Sequence, residues 1–251
     1  MCRHLAYLGP PLSLAALLYD PPHALARQSW APVDMRGGGT VNADGFGVGW
    51  YPADGGPVRY RRDVPLWADA TLPALAAATV SGAVLAAVRS ATVGMPVVET
   101  AAAPFVEGRW LFSHNGVVRG WPDSVVPLAR GLPTRDLLTL DAPTDSALLW
   151  ALVRHRLRAG AAPAAAVGDT VRAVGELAPD SRLNLLLTDG RTAVATARGH
   201  ALSTRTDGRS VLIASEPLDD DPAWKPVPAD HLVVATADDL RIEPIEGTSA
   251  A

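Results

Sequence analysis

The sequence predicts an α+β fold built mainly on antiparallel sheet, and three observations lead there. Short apolar or alternating runs, separated by Gly and Pro, fill the first half of the chain and return towards its end. Two segments with helical periodicity stand next to each other in the middle. The strands and helices do not alternate as β-α-β-α, which argues against a parallel sheet.

In chain order, HLAYLG alternates and reads as a strand tied into a sheet, and LSLAALLYD (12–20) reads as a helix. FGVGWYPA (46–53), PVRYRRD (57–63), AVLAAVRS (83–90) and RWLFSHNGVV (109–118) read as strands bounded by turn residues. The segment 119–143 is Pro-rich loop. Thr144 is a good N-cap, and Leu149, Leu152, Val153 and Leu157 form one stripe that Gly160 and Pro163 bring to an end. A second helix over roughly 163–178 aligns Val167, Val171, Val174 and Leu177. Strands resume in RLNLLLTDG, TAVATARG, SVLIASEP and HLVVATA, with a second Pro-rich loop at 217–229.

At 251 residues, 48% hydrophobic and 19% charged, the chain can bury a sizeable core. The two Pro-rich loops are short, so one domain is expected. A net charge of −4 without a Lys/Arg cluster leaves no electrostatic footprint for nucleic acid. One cysteine cannot form an internal disulfide, which fits a reducing compartment. With no signal-peptide pattern and no apolar run long enough to span a bilayer, a cytoplasmic protein without membrane contact is expected.

Five stretches carry candidate chemistry. The only thiol, Cys2, stands directly behind the initiator Met, where it is either a stray terminal residue or a placed nucleophile. NADGFGVGWY (42–51) has three spaced glycines but not the G-x-G-x-x-G spacing, and it enters a strand; its small residues suit close backbone approach. In VRSATVG (88–94), Arg89 ends an apolar strand, as a surface ion pair or as a bidentate carboxylate clamp. SHNGVV (113–118) reads as a turn after a strand, and an Asn amide beside a Gly N–H can also face one developing oxyanion. In PTDSALLW (143–150), Asp145 in the first helical turn is favoured by the helix dipole. The histidines at 4, 23, 114, 155, 200 and 231 lack metal-ligand spacing, and no G-x-S-x-G elbow is present, so neither a metal nor a serine nucleophile is expected.

In sequence order, the N-terminal Cys, the DGFG-W segment, R-x-A-T-x-G, PF…W-x-F-x-HNG and the T-D-S helix start resemble the class II glutamine amidotransferases. These are N-terminal-nucleophile hydrolases. The resemblance runs from Cys2 to about Trp150 and continues weakly through SEPLDDDPAWKPVP (215–228). It implies a four-layer αββα sandwich of two antiparallel sheets flanked by helices, with one domain over 2–251 after Met1 is removed. It also implies that Cys2 is nucleophile and, through its freed α-amine, base. A free α-amine near ~7.7–8.0 and a thiol near ~8.5 make that proton transfer nearly balanced.

By the same resemblance, Arg89 clamps the α-carboxylate of a γ-glutamyl group, Asp145 accepts from its α-ammonium, and Thr92 adds a contact. Asn115 and Gly116 form the oxyanion hole. His114 joins the substrate-binding group, although strand geometry turns its ring away from Asn115. Arg3, His4 and the Asn42–Asp44 loop are wall or supporting residues. No cofactor is implied, and the partner is a small γ-glutamyl substrate.

Ammonia-transferring relatives often carry R-W-A-T-H-G and N-x-H-P-F, where this chain has Ser90, Val93 and AAAPF (101–105). A leaving group bulkier than ammonia is therefore expected, with the tryptophans at 110, 121, 150 and 224 as candidate surfaces for a cationic one. The opening MCRHLAYLG is most similar to the γ-glutamyl hydrolases of ergothioneine biosynthesis, which implies γ-glutamyl hercynylcysteine sulfoxide as substrate. The alternatives are a glutaminase subunit that feeds ammonia to a separate synthetase, and a non-catalytic γ-glutamyl-binding domain.

Overall fold

A computed structural model describes residues 2–34 and 41–245. The expected removal of Met1 lies outside the described residues. The chain forms β1 (Arg3–Ser13), α1 (Ala15–Leu18), α2 (Leu25–Gln28), β2 (Phe46–Trp50), β3 (Val58–Arg62), α3 (Leu72–Ala78) and β4 (Val80–Val88). It continues through β5 (Phe105–Glu107), β6 (Trp110–Val117), α4 (Val126–Arg130), α5 (Thr134–Leu138), α6 (Asp145–Arg158) and α7 (Pro163–Leu177). The last part holds β7 (Arg182–Thr188), β8 (Ala193–Ala197), β9 (Ser203–Thr206), β10 (Val211–Ala214), β11 (Lys225–Pro226), β12 (His231–Ala235) and β13 (Leu240–Pro244).

Among the described residues all strand pairs are antiparallel, in two sheets ordered β11-β9-β10-β1-β4-β2-β3 and β13-β12-β8-β7-β6-β5. Alternation along β1 shows how the layers arise. Ala6 and Leu8 join Leu85, Leu111, Leu186 and Ile213 between the sheets. Leu5 and Tyr7 point the other way and pack with residues of α1, α2 and α3. On the far side, Leu185 and Leu187 of β7 meet Leu149, Val153, Val167 and Val171 of α6 and α7. Trp150 stacks on Phe112 at 5.3 Å between ring centres, which locks α6 onto β6. The result is the predicted αββα sandwich.

Two predicted boundaries move. The strand β1 runs through Ser13, so the first helix shrinks from 12–20 to Ala15–Leu18; pairing of Leu12 with Ser81 and Ser13 with Val80 outweighs the local helical pattern. The predicted loop at 119–143 contains α4 and α5. The helix start at Thr144 stands: its Oγ1 accepts from the Ala147 N–H at 3.2 Å, and Pro163 opens α7. No helix among the described residues is long and apolar enough to cross a membrane.

Candidate active site

The start of β1, the end of β4 and the middle of β6 meet here. Pairing of Arg3 with Val88 in the β1–β4 ladder brings Cys2 beside Arg89 and Ser90. Cys2 is half-buried and its Sγ donates to the Ser90 carbonyl at 3.6 Å. One narrow cavity is lined by Cys2, Arg89, His114 and Ser146, with Phe46 and Ala103 among its apolar walls.

The glycine-rich stretch before β2 serves this corner as scaffold. The Asp44 N–H donates to the Arg89 carbonyl (3.0 Å), the Arg89 N–H to the Gly45 carbonyl (2.8 Å), and the Ala91 N–H to Asp44 Oδ2 (2.8 Å). The Arg89 guanidinium itself is buried and reaches the Asp44 carbonyl at 3.4 Å. Upstream, Asn42 donates from its N–H to Ser29 O and from Nδ2 to Gln28 O. A Cβ on Gly47 would fall 2.3 Å from the Ala103 carbonyl. The glycines thus permit close backbone approach, as the strand context suggested.

The HNG triplet is not a turn. His114, Asn115 and Gly116 all lie inside β6, paired with Leu185, Asn184 and Leu183 of β7. The turn signal loses because the flanking apolar residues extend the ladder through both partners. Gly116 is required by a close approach: a Cβ there would lie 1.8 Å from the Arg182 carbonyl. Strand alternation sends Asn115 between the sheets and His114 towards α6. Asn115 Nδ2 donates to Ser215 Oγ at 3.2 Å.

His114 Nε2 lies 2.9 Å from the Arg182 carbonyl, which only accepts, so Nε2 carries the proton. Nδ1 lies within hydrogen-bonding distance of the Ser146 hydroxyl, at 2.9 Å. Both ring nitrogens are occupied, although the ring borders the same cavity as Cys2.

Asp145 and Thr92 lie to one side of this cavity. Buried Asp145 accepts from the Val118 N–H (Oδ2, 2.9 Å) and the Ser146 N–H (Oδ1, 2.7 Å), joining the end of β6 to the start of α6. Thr92 lines a neighbouring cavity of about 450 Å³ together with Val118, Arg119, Trp121 and Pro143. The structure therefore gathers Cys2, Arg89 and His114 in one cavity. It sets Thr92 and the Asp145-bound Val118 beside the next.

Arg3 and His4, expected as wall or supporting residues, are buried beside the site, and their partners Ser215 and Glu216 escaped the reading of the sequence. His4 is fully buried with Nδ1 3.2 Å from Ser113 Oγ, and burial, with His114, His200 and Arg3 nearby, pushes its pKa down to about 3. It is neutral at physiological pH. Arg3 is buried against Glu216 at 3.8 Å, and Glu216 also accepts from the Val33 and Asp34 N–H groups. Burial lowers the Arg3 pKa and Glu216 opposes that shift. Ser215 and Glu216 lie in the SEP stretch whose pattern was visible in the sequence, without a role attached. Of the four candidate tryptophans, Trp150 is fully buried in the helix layer and offers no surface to a ligand. Trp121 lines the Thr92 cavity, and Trp224 lines a cavity of about 480 Å³ with Ser215 and Glu216.

Comparison with known proteins finds relatives by sequence and by fold. The family model described as glutamine amidotransferases class-II matches residues 14–207. A gamma-glutamyl-hercynylcysteine sulfoxide hydrolase of Mycolicibacterium smegmatis is 46% identical over 236 residues, covering 93% of this chain and 95% of that protein. The protein of the same name from Mycobacterium tuberculosis is 42% identical, with 94% and 93% covered. Among solved structures, a glutamine aminotransferase class-II domain protein from Silicibacter pomeroyi superposes with a TM-score of 0.69 at 23% identity, covering 97% of this chain and 99% of that one. Glutamine phosphoribosylpyrophosphate amidotransferase from B. subtilis gives 0.70 at 12% identity, with this chain matching 50% of its length. The last two share the fold. By family model and by identity over nearly full length, the chain belongs to the class II glutamine amidotransferases.

Proposed function

We propose that this chain is an N-terminal-cysteine hydrolase of γ-glutamyl amides, acting as one domain from residue 2, with γ-glutamyl-hercynylcysteine sulfoxide as its substrate. The observation that carries the reaction type is the pairing of the sole thiol with a buried guanidinium in one cavity. The named relatives, similar over more than nine-tenths of the chain, support the substrate.

The chemistry follows from the residues. With Met1 removed, the Cys2 α-amine takes the thiol proton, and the thiolate attacks the γ-carbonyl carbon. The carbonyl oxygen gains charge and is met by the Asn115 amide and the Gly116 N–H. The C–N bond then breaks as the α-ammonium returns the proton to the leaving amine. Water, activated by the same amine, hydrolyses the thioester and releases glutamate with Cys2 restored. Arg89 holds the α-carboxylate through its two-pronged donor face, and Asp145 and Thr92 hold the α-ammonium end. His114, the histidine that lines the Cys2 cavity, does not compete for the base role, because both of its ring nitrogens are engaged.

The test is glutamate release by the Met1-free protein from γ-glutamyl-hercynylcysteine sulfoxide and from glutamine. Both substrates present the same head, so discrimination arises beyond the scissile bond, where Ser90, Val93 and Ala101–Ala103 leave no bulky wall. The expected ratio of kcat/KM is at least about 10²-fold in favour of the conjugate, or ~2.7 kcal/mol. Glutamine cleaved equally fast, with stimulation by a synthetase partner, would replace this reading with that of a glutaminase subunit.

A further inference from the structure

The residue that follows β10, Ser215, has no part in the reaction above. We propose that it is a positioning residue that orients the Asn115 carboxamide and thereby sets the oxyanion hole; the inference rests on the acyl-transfer reading. Ser215 is completely buried. A hydroxyl has one hydrogen to give and two lone pairs to receive with, and here all three are used. Oγ donates to the His4 carbonyl at 3.2 Å and accepts from the His4 N–H at 3.0 Å and from Asn115 Nδ2 at 3.2 Å. The Ser215 N–H adds a bond to the same His4 carbonyl at 3.0 Å.

The direction of these bonds decides which end of the amide faces where. With its hydrogen turned to the His4 carbonyl, Ser215 presents only lone pairs to Asn115, so the NH₂ end must face it. Asn115 Oδ1 is buried with no hydrogen-bond partner among the described residues, so nothing at the oxygen end fixes the amide. The Nδ2 group has two hydrogens; Ser215 holds one and leaves the other for the substrate oxygen. A donor contributes most when it need not reorient as charge develops. One side chain therefore ties Asn115, in one sheet, to the strand of the other sheet that begins beside Cys2.

The experiment is a double-mutant cycle: kcat and KM for γ-glutamyl-hercynylcysteine sulfoxide with Ser215→Ala, Asn115→Ala and the double variant, plus Ser215→Cys. Melting temperature and the rate of Cys2 alkylation by iodoacetamide are recorded for each. Asn115→Ala removes a donor and should lower kcat by roughly 10²–10³. Ser215→Ala should lower kcat about tenfold with KM nearly unchanged, and should add almost nothing in the Asn115→Ala background, because residues acting as one unit are not additive. Alkylation builds no oxyanion and should proceed at the wild-type rate. Ser215→Cys, similar in size and still able to hydrogen-bond, should recover part of kcat, and it carries the same cycle if Ser215→Ala does not fold. Losses that multiply in the double variant, or alkylation that falls in step with kcat, would overturn the inference while leaving the oxyanion hole in place. Asn115→Ala at the wild-type rate would remove the oxyanion assignment itself, and this inference with it.

Discussion

At the scale of the residue, the proposed reaction gives Cys2 one feature that no internal cysteine could have: an α-amine of its own, freed as a base by loss of Met1. Cys2→Ala should abolish glutamate release while the fold and γ-glutamyl binding persist, measured by turnover and by thermal shift with substrate. An uncleaved N-terminal extension should be nearly as damaging, since the base becomes an amide nitrogen; full activity with the extension intact by mass spectrometry would contradict the assignment. Arg89 is a different case, because the role proposed for it is directional. Its fork can make two parallel bonds to a carboxylate that a lysine ammonium cannot reproduce. Arg89→Lys should therefore raise KM far more than it lowers kcat, read from steady-state kinetics on the conjugate. An unchanged KM would show that the α-carboxylate is held elsewhere.

Among the elements, β6 is the one in which local and tertiary signals part. His-Asn-Gly in isolation is turn chemistry, yet all three residues sit in the β6–β7 ladder. The explanation lies across the ladder: the Gly116 Cα packs against the Arg182 carbonyl so closely that a methyl group cannot fit. Gly116→Ala should accordingly open the end of the ladder and cost about 3 kcal/mol, the upper range for overpacking. Urea denaturation checks this, and a variant as stable as wild type would show that the strand end yields without cost. The start of α6 shows the opposite relation. There the Thr144 cap and the Asp145 carboxylate, which accepts from the Ser146 N–H in the first turn, act in the roles their local sequence suggests.

Across the whole molecule, two buried histidines tie stability to pH. Burial holds both His4 and His200 at about 3, against 6.5 for an exposed histidine. Between those values the unfolded chain binds protons that the folded chain does not, so stability rises with pH and is lost as pH falls from 6.5 towards 3. Each histidine contributes a slope of up to about 1.4 kcal/mol per pH unit in that window. Chemical denaturation at pH 7, 6 and 5 should show this decline, and His4→Gln should flatten it; an unchanged slope would mean that His4 charges without unfolding.

The order of motifs along the chain determined the family, and the strand and helix patterns determined the class of fold. Alternation along HLAYLG and the 3.6-residue stripes of the two long helices are local properties, so they survive reading without coordinates. The same holds for Cys2 as a singular thiol and for Thr144 as a cap. What the tertiary structure decided depends on contacts between segments far apart in sequence. The β1–β4 register brought Cys2 beside Arg89, and β7 turned an apparent HNG turn into a strand. The helix layer buried Trp150, while Ser215, 100 positions from Asn115, became its hydrogen-bond partner. A serine after a buried strand has no periodicity, charge or spacing to single it out; its meaning lies in three hydrogen bonds that exist only once both sheets have closed.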